Sequence, residues 1–285
     1  MGIDAGLKAA RAFHVAGVAA TSNVLAGKTY GIRVAGTMAH SYVQAHDSEA
    51  AALREFAQIY PGTVLLVDTY DTLGAVRRVV ELSRELGPKF SVGAVRLDSG
   101  DLLQLAMETR RLLDAGGLKA VQIFASGGLD EDQIAGLLEA GAPIDAFGVG
   151  TAMGVSDDVP ALDIAYKLAE YAGRGRLKLS AGKPVLPGRK QVFRLEEGGR
   201  AVRDVIARSE EMQPGRPLLR PVMIAGRRLP EAVECLDALR ARAQAEIAAL
   251  PARVRTLASA EPPYPVEVSA ELAGYQEAVI RSLRW

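Results

Sequence analysis

Between residues 18 and 149 six short apolar runs alternate with amphipathic stretches, and each run ends in a polar or glycine-rich cluster. The runs cover residues 18–20, 32–35, 64–67, 90–97, 120–125 and 144–149. The clusters that follow them are TSN (21–23), GTMAHS (36–41), DTYD (68–71), RLDSGD (96–101), ASGG (125–128) and GVGT (148–151). In the stretch DTLGAVRRVVELSRELG, residues Leu73, Val76, Val80, Leu82 and Leu86 recur at helical spacing, and Gly87 with Pro88 stops the helix. The stretch SGDLLQLAMETRRLLDAGG repeats the pattern. The later runs start roughly 25 to 30 residues apart, the length of a strand, a helix and a short return. Repeated units of this kind build a parallel sheet, either open and doubly wound or closed towards a barrel.

The distribution of polar groups selects the barrel. An open sheet gathers its ligand groups at one switch point, whereas a barrel brings every carboxyl strand end to one mouth. Six loaded ends in succession therefore predict an α/β barrel. It is incomplete, because six units fall short of eight and only one helix, over 4–16, precedes them. Past residue 173 the texture changes to short strands with turns at Ala181-Gly182, Pro187-Gly188 and Gly198-Gly199, a hairpin in RPLLRPVMIAGRRL, and helices over 231–250 and 269–283. The expected organisation is a partial barrel over 1–172 and an α+β appendage over 173–285.

With 49% hydrophobic and 24% charged residues the chain can bury a sizeable core. Its 34 basic and 34 acidic residues leave no basic footprint for nucleic acid. One cysteine, Cys235, excludes an internal disulfide and a multi-cysteine zinc site, and its apolar-periodic surroundings read as core. No apolar run reaches the roughly 18 residues of a membrane span, and the segment MGIDAGLKAARAF lacks a signal peptide's apolar centre. A cytoplasmic protein is expected.

Several clusters can carry chemistry. Gly148, Gly150 and Thr151 follow an apolar run and precede a helix start expected at Asp157-Asp158, so backbone N–H groups there can close on a phosphate. An ordinary tight turn has the same composition. Ser126, Gly127 and Gly128 repeat the signal on the preceding run. Strand alternation sends Arg96 and Asp98 to one face, where guanidinium and carboxylate suit a phosphate and a sugar hydroxyl, a water-held metal, or simply each other. Asp68, an ionised group after an apolar run, needs a partner; with Asp98 it suits a magnesium ion carrying a polyphosphate. Asp71 and Asp101 read as helix caps. His40 sits at a strand-to-helix turn, as nucleophile, general base or structural residue. His14 and His46 read as helix-face residues. Lys190 and Arg194 read as a basic strand face that can also meet a phosphate.

Taken together, TSNVLAGKTYGIRVAGTMAHSYVQAH, LLVDTYDTL, RLDSGDL, FASGGLDE, DAFGVGT and LPGRKQVFR resemble the nicotinate phosphoribosyltransferase family in order and spacing, from about residue 4 to 208. The resemblance implies a type II phosphoribosyltransferase fold: an incomplete TIM-like α/β barrel with a C-terminal α+β appendage and a further N-terminal domain. It implies transfer of a phosphoribosyl group from phosphoribosyl pyrophosphate to nicotinate, in NAD salvage, coupled to ATP hydrolysis. His40 matches the transiently phosphorylated histidine. Arg96 and Asp98 match contacts to phosphoribosyl pyrophosphate and the base. Asp68 matches a ribose- and magnesium-side carboxylate. Ser126, Gly127, Gly128, Gly148, Gly150 and Thr151 match the 5′-phosphate cradle, and Thr21, Ser22 and Asn23 a strand end near the base. Mg2+, ATP as co-substrate and a homodimer are implied with them. Family members begin with a domain absent here, so an N-terminally truncated chain, inactive alone, is expected. A nicotinamide or quinolinate specificity and a silent partner subunit are the alternatives.

Overall fold

The computed structural model describes residues 2–156, 158–162, 164–179 and 185–283. The chain packs as two units, Met1–Ala9 with Ala20–Ala161, and Ala10–Ala19 with Leu162–Trp285.

The first unit holds α1 (Ile3–Ala16), shared with the second, then α2 (Val24–Tyr30), α3 (His40–Gln44) and α4 (Glu49–Ile59). Strand and helix then alternate: β1 (Val64–Leu66), α5 (Thr72–Leu86), β2 (Ala94–Leu97), α6 (Leu102–Ala115), β3 (Gln122–Ala125), α7 (Glu131–Glu139), β4 (Ala146–Phe147) and α8 (Thr151–Val155). The four strands are parallel and lie in sequence order, β1-β2-β3-β4. An order without reversal is the winding of a barrel; a doubly wound sheet turns back at its switch point. This is the expected partial barrel, with one difference. The runs at 18–20 and 32–35 form no strand, only a single parallel bridge between Thr21 and Val34. Val34 stays 46% exposed.

The sheet's helix-side face is continuous and apolar. Leu65, Val67, Val95, Leu97 and Ile123 are fully buried with Val76 and Val79 of α5 and Leu113 of α6. At about 25 cal/mol per Å2 of apolar surface, such burial is worth roughly 1.5–3 kcal/mol for each large side chain. Within β2 the exception is Arg96, which the pleat turns to the opposite face from Val95 and Leu97. One of the two expected caps forms its side-chain hydrogen bond. Asp101 accepts from Gln104 N, and Asp130 forms a reciprocal capping box with Gln133. Asp71 occupies the cap position of α5 but makes no side-chain cap hydrogen bond.

In the second unit β5 (Glu170–Tyr171) pairs with β6 (Arg174–Gly175), and β7 (Lys190–Glu197) with β8 (Arg200–Arg208) around the Gly198-Gly199 turn. With β9 (Arg216–Pro217) and a strand over Val266–Val268, the long hairpin makes a four-stranded sheet. The hairpin β10 (Met223–Ile224) and β11 (Arg227–Arg228), α9 (Leu236–Ala249), the strand β12 (Val266–Val268) and α10 (Ala270–Ser282) complete it. The turn expected at Ala181-Gly182 lies outside the described residues.

Two expectations are corrected here. The helix placed over 231–250 starts only at Leu236, because Pro230 opens a separate 3-10 turn. Cys235 is therefore the residue before α9 and is exposed, not core. Arg194 pairs with Asp204 through Nε and Nη2, at 2.9 and 2.8 Å, and reaches Glu246. Lys190 donates to the carbonyls of Leu186 and Gly188. Both basic groups are engaged within their own unit. His14 lies in the last turn of α1, within 3.5 Å of Asp237, whereas His46 lies just beyond α3 and bonds to the Tyr42 carbonyl and Glu55. Among the described residues no helix is long and apolar enough to cross a membrane.

Candidate active site

Sheet register assembles the site. Leu66 pairs with Arg96, Arg96 with Phe124, and Phe124 with Ala146. Two residues further along each strand, on the same face, stand Asp68, Asp98, Ser126 and Gly148. One row at the carboxyl ends of four parallel strands thus holds two acids, a hydroxyl and a glycine.

Arg96, one row below, ties these groups together. Its Nε donates to Ser126 Oγ at 2.7 Å, Nη1 to Thr37 Oγ1 at 2.7 Å, and Nη2 to Asp98 Oδ1 at 2.5 Å. Ser126 in turn donates to Asp98 Oδ1 at 2.5 Å. Burial opposes ionisation of Asp98, but the Ser126 hydroxyl and the Arg96 guanidinium outweigh it and hold the carboxyl below its ordinary range. Asp68 has a 1% exposed side chain. Its Oδ2 accepts from the Asp98 backbone N–H at 3.0 Å and from Ser99 Oγ at 2.5 Å. Its Oδ1 is buried and has no hydrogen-bond partner among the described residues. A buried carboxylate oxygen left unpaired is costly unless a cation or a donor approaches it.

His40 opens α3 beside this row. Its Nδ1 lies 3.1 Å from Thr69 Oγ1, and its Nε2 lies 3.9 Å from Asp68 Oδ1 and 3.7 Å from Asp98 Oδ2. The ring is 41% exposed, so it is open to a ligand. The geometry brings His40, Asp68, Arg96, Asp98 and Ser126 into one network. Thr37, Thr69 and Ser99 belong to it as well. Each stands inside a cluster already marked by sequence, GTMAHS, DTYD or RLDSGD, but a threonine or serine beside charged residues carries no distinguishing pattern of its own.

The glycines serve close packing. Gly127 has φ of +102°, and a Cβ there would lie 1.9 Å from the Asp98 carbonyl oxygen. At Gly148 a Cβ would stand 2.9 Å from the Phe124 ring and 3.2 Å from Ser126 Cβ. Gly128 also takes positive φ, at +69°. Gly150 precedes α8, which begins at Thr151, so the helix start expected at Asp157-Asp158 is corrected to Thr151. Asp157 lies outside the described residues. Ser126 departs from the cradle reading, because its hydroxyl is spent on Arg96 and Asp98.

The Thr21 backbone exchanges hydrogen bonds with Arg33 and Ala35. Asn23 Oδ1 caps α2 by accepting from Ala26 N, and Ser22 is exposed. Among the described residues no hydrogen bond ties Thr21, Ser22 or Asn23 to the Arg96 network.

A metal is tested by Asp68. Its orphaned Oδ1 and the nearby Asp98 Oδ2 suit Mg2+, which takes one or two carboxylates and completes its shell with water and phosphate. Among the described residues no group of three or more His, Cys, Asp or Glu forms a closed metal cage.

Comparison with known proteins bears on this arrangement. The model of the nicotinate phosphoribosyltransferase (NAPRTase) family matches residues 4–194. A nicotinate phosphoribosyltransferase of Mycobacterium tuberculosis is 54% identical over 273 residues, covering 96% of this chain and 59% of that protein. The Bacillus subtilis enzyme of the same name is 40% identical over 200 residues, 68% of this chain and 41% of its own. The crystal structure of human nicotinic acid phosphoribosyltransferase superimposes with a TM-score of 0.78 at 28% identity, covering 100% of this chain and 68% of that one. A nicotinate-nucleotide pyrophosphorylase from Pyrococcus furiosus gives a TM-score of 0.72 at 28% identity over 86% of this chain and 62% of its own. The chain spans 59% of the length of the mycobacterial relative and 41% of the Bacillus one.

Proposed function

Because the chain belongs to the nicotinate phosphoribosyltransferase family, we propose that it carries that family's transfer site: nicotinate and phosphoribosyl pyrophosphate give nicotinate mononucleotide and pyrophosphate, with ATP hydrolysed alongside. The observation that supports this most is the Arg96 network, which draws Asp98, Ser126 and Thr37 to the same strand ends as Asp68 and His40.

In the transfer step the pyridine nitrogen forms a bond to the anomeric carbon. The bond from that carbon to the pyrophosphate oxygen breaks, and its electron pair leaves with pyrophosphate. Positive charge develops on the ribose, so the chain's task is charge placement and orientation, not nucleophilic attack on the sugar. Asp98, kept ionised by its neighbours, faces that charge. Arg96 keeps Asp98 in place and adds positive potential towards the phosphates. With the Ser126 hydroxyl occupied, the 5′-phosphate falls to the backbone N–H groups of Gly127, Gly128, Gly150 and Thr151. Thr21, Ser22 and Asn23 lie on the nicotinate side. Asp68 and Asp98 would hold Mg2+, which would supply charge neutralisation for the departing pyrophosphate.

His40 accepts the γ-phosphoryl group of ATP on its imidazole, ADP leaves, and water later releases inorganic phosphate. The coupling acts through altered affinity for phosphoribosyl pyrophosphate and for products. The enzyme works as a homodimer in the cytoplasm, in NAD salvage.

The test is pyrophosphate release by the purified chain with nicotinate, nicotinamide or quinolinate, each with and without ATP. Nicotinate-dependent, ATP-stimulated release supports the proposal. Release with quinolinate or nicotinamide alone replaces the substrate and keeps the chemistry. Thermal stabilisation by phosphoribosyl pyrophosphate without turnover on any base makes the chain a silent partner.

A further inference from the structure

We infer that Ser99 decides which divalent cation the Asp68–Asp98 pair prefers: its hydroxyl closes Asp68 Oδ2, so that Asp68 can ligate through Oδ1 alone, which favours Mg2+ over Ca2+. The inference rests on the reading of this pair as a cation site, and it adds a residue that never touches the cation.

The two carboxylates are half used in the same way. A carboxylate oxygen has two lone pairs to offer. Asp68 Oδ2 accepts from the Asp98 backbone N–H at 3.0 Å and from Ser99 Oγ at 2.5 Å, which fills both. Asp98 Oδ1 accepts from Arg96 Nη2 and from Ser126 Oγ, each at 2.5 Å, which fills both of its own. Among the described residues no hydrogen bond reaches Asp68 Oδ1 or Asp98 Oδ2. These two oxygens lie 3.9 and 3.7 Å from the same atom, His40 Nε2. Each acid thus has one spent oxygen and one open oxygen, and the open pair share a neighbourhood.

Ser99 is free for this task. The cap of α6 is Asp101, which accepts from Gln104 N. A serine in such a turn commonly bonds to backbone within a few residues of itself. Ser99 instead reaches 31 residues back, to the end of the neighbouring strand, and among the described residues that is the one hydrogen bond its side chain makes.

The number of oxygens on offer separates the two cations. Mg2+ demands near-ideal octahedral geometry, keeps several waters, and takes one or two carboxylates together with phosphate. Ca2+ is larger, accepts about 6–8 oxygens in flexible geometry, and can take both oxygens of one carboxylate. With Oδ2 closed, Asp68 offers Ca2+ no second oxygen. Without the Ser99 hydroxyl one lone pair of Oδ2 opens, the carboxylate can present both oxygens, and the advantage passes towards Ca2+. Ser99 is exposed, so its replacement leaves the core untouched.

The test is competition for bound Mn2+, followed by electron paramagnetic resonance of the chain as Mg2+ or Ca2+ is added. The ratio of the two displacing affinities is the readout, because a general loosening of the fold weakens both cations together. Ser99→Ala should lower the Mg2+ to Ca2+ ratio by about two- to tenfold, the range one net hydrogen bond controls. Ser99→Thr keeps the hydroxyl and should keep the ratio. Asp68→Asn should release Mn2+, which identifies the site being read. An unchanged ratio in Ser99→Ala, or a fall in Ser99→Thr as large as in Ser99→Ala, overturns the inference and leaves the cation site standing. Mn2+ retained by Asp68→Asn, or no Mn2+ bound by the unmodified chain, overturns the cation reading and the inference with it.

Discussion

Gly127→Ala should damage the fold and the site together. Gly127 has φ of +102°, and the new Cβ would lie 1.9 Å from the Asp98 carbonyl oxygen and 2.8 Å from its carbon. Backbone strain at such a dihedral costs roughly 1–3 kcal/mol for a residue other than glycine. Overpacking adds about 1–3 kcal/mol. The lower end of that range applies only where a side chain can swing away, and here the obstacle is main chain. A total of about 4 kcal/mol follows. For a domain of this size each kcal/mol shifts Tm by about 2–4 °C, so a fall of roughly 8–16 °C is expected. The displaced Asp98 backbone also donates to Asp68 Oδ2 at 3.0 Å, so the link between the two carboxylates should weaken before the domain melts. Gly136→Ala is the control: Gly136 lies inside α7, and a Cβ there meets nothing within 4 Å. It should raise stability by about 0.5–1 kcal/mol. Thermal unfolding followed by circular dichroism measures both. A Gly127→Ala transition within about 2 °C of the unmodified protein would refute the packing argument.

Three further outcomes follow from the structure. Burial pushes the Glu49 carboxyl up, against the Arg78 guanidinium, with Asp71 adding to the rise. An acid with a raised folded pKa binds its proton more tightly when folded, so its cost to stability is absent below the unfolded pKa of about 4.3 and grows as pH rises through the folded value. Glu49→Gln should therefore gain in Tm relative to the unmodified protein between pH 4 and pH 7, and a flat or falling difference contradicts the sign. Arg96→Lys keeps a charge but cannot reach Ser126, Thr37 and Asp98 at once. It should weaken phosphoribosyl pyrophosphate binding about tenfold or more by calorimetry, and an unaltered Kd removes Arg96 from the site. Cys235 is exposed, so a thiol reagent should titrate one equivalent in the native state; reaction only after denaturation would place it in the interior.

The sheet was legible in the sequence because parallel strands buried by helices are near-continuous apolar runs, as at 64–67 and 94–97. The same signal misled at 18–20 and 32–35. Periodicity reports apolar content, but a strand also needs a neighbour along its length, and these two runs meet over one bridge. Cys235 was misread for a related reason: helical spacing continued back to Glu231, and only Pro230 marked that the chain there follows a different path.

The site was legible to the extent that strand alternation and register are arithmetic. Two residues past the Leu66–Arg96–Phe124–Ala146 row, this register sets Asp68, Asp98, Ser126 and Gly148 side by side. Hydroxyl geometry does not follow from register. Ser126 reads from sequence as part of a glycine-rich phosphate loop, yet its Oγ stands between Arg96 and Asp98. Thr37 and Thr69 reach Arg96 and His40 from loops whose paths only the folded chain defines. Charged and aromatic residues announce themselves by type, whereas a hydroxyl acquires its role from what the fold places about 3 Å away. Here the hydroxyls complete the site: Ser126 and Thr37 fix the guanidinium, Ser99 fixes the buried carboxylate, and Thr69 meets the histidine. Substitutions confined to these four residues, with every charge left in place, therefore separate the geometry of the site from its electrostatics.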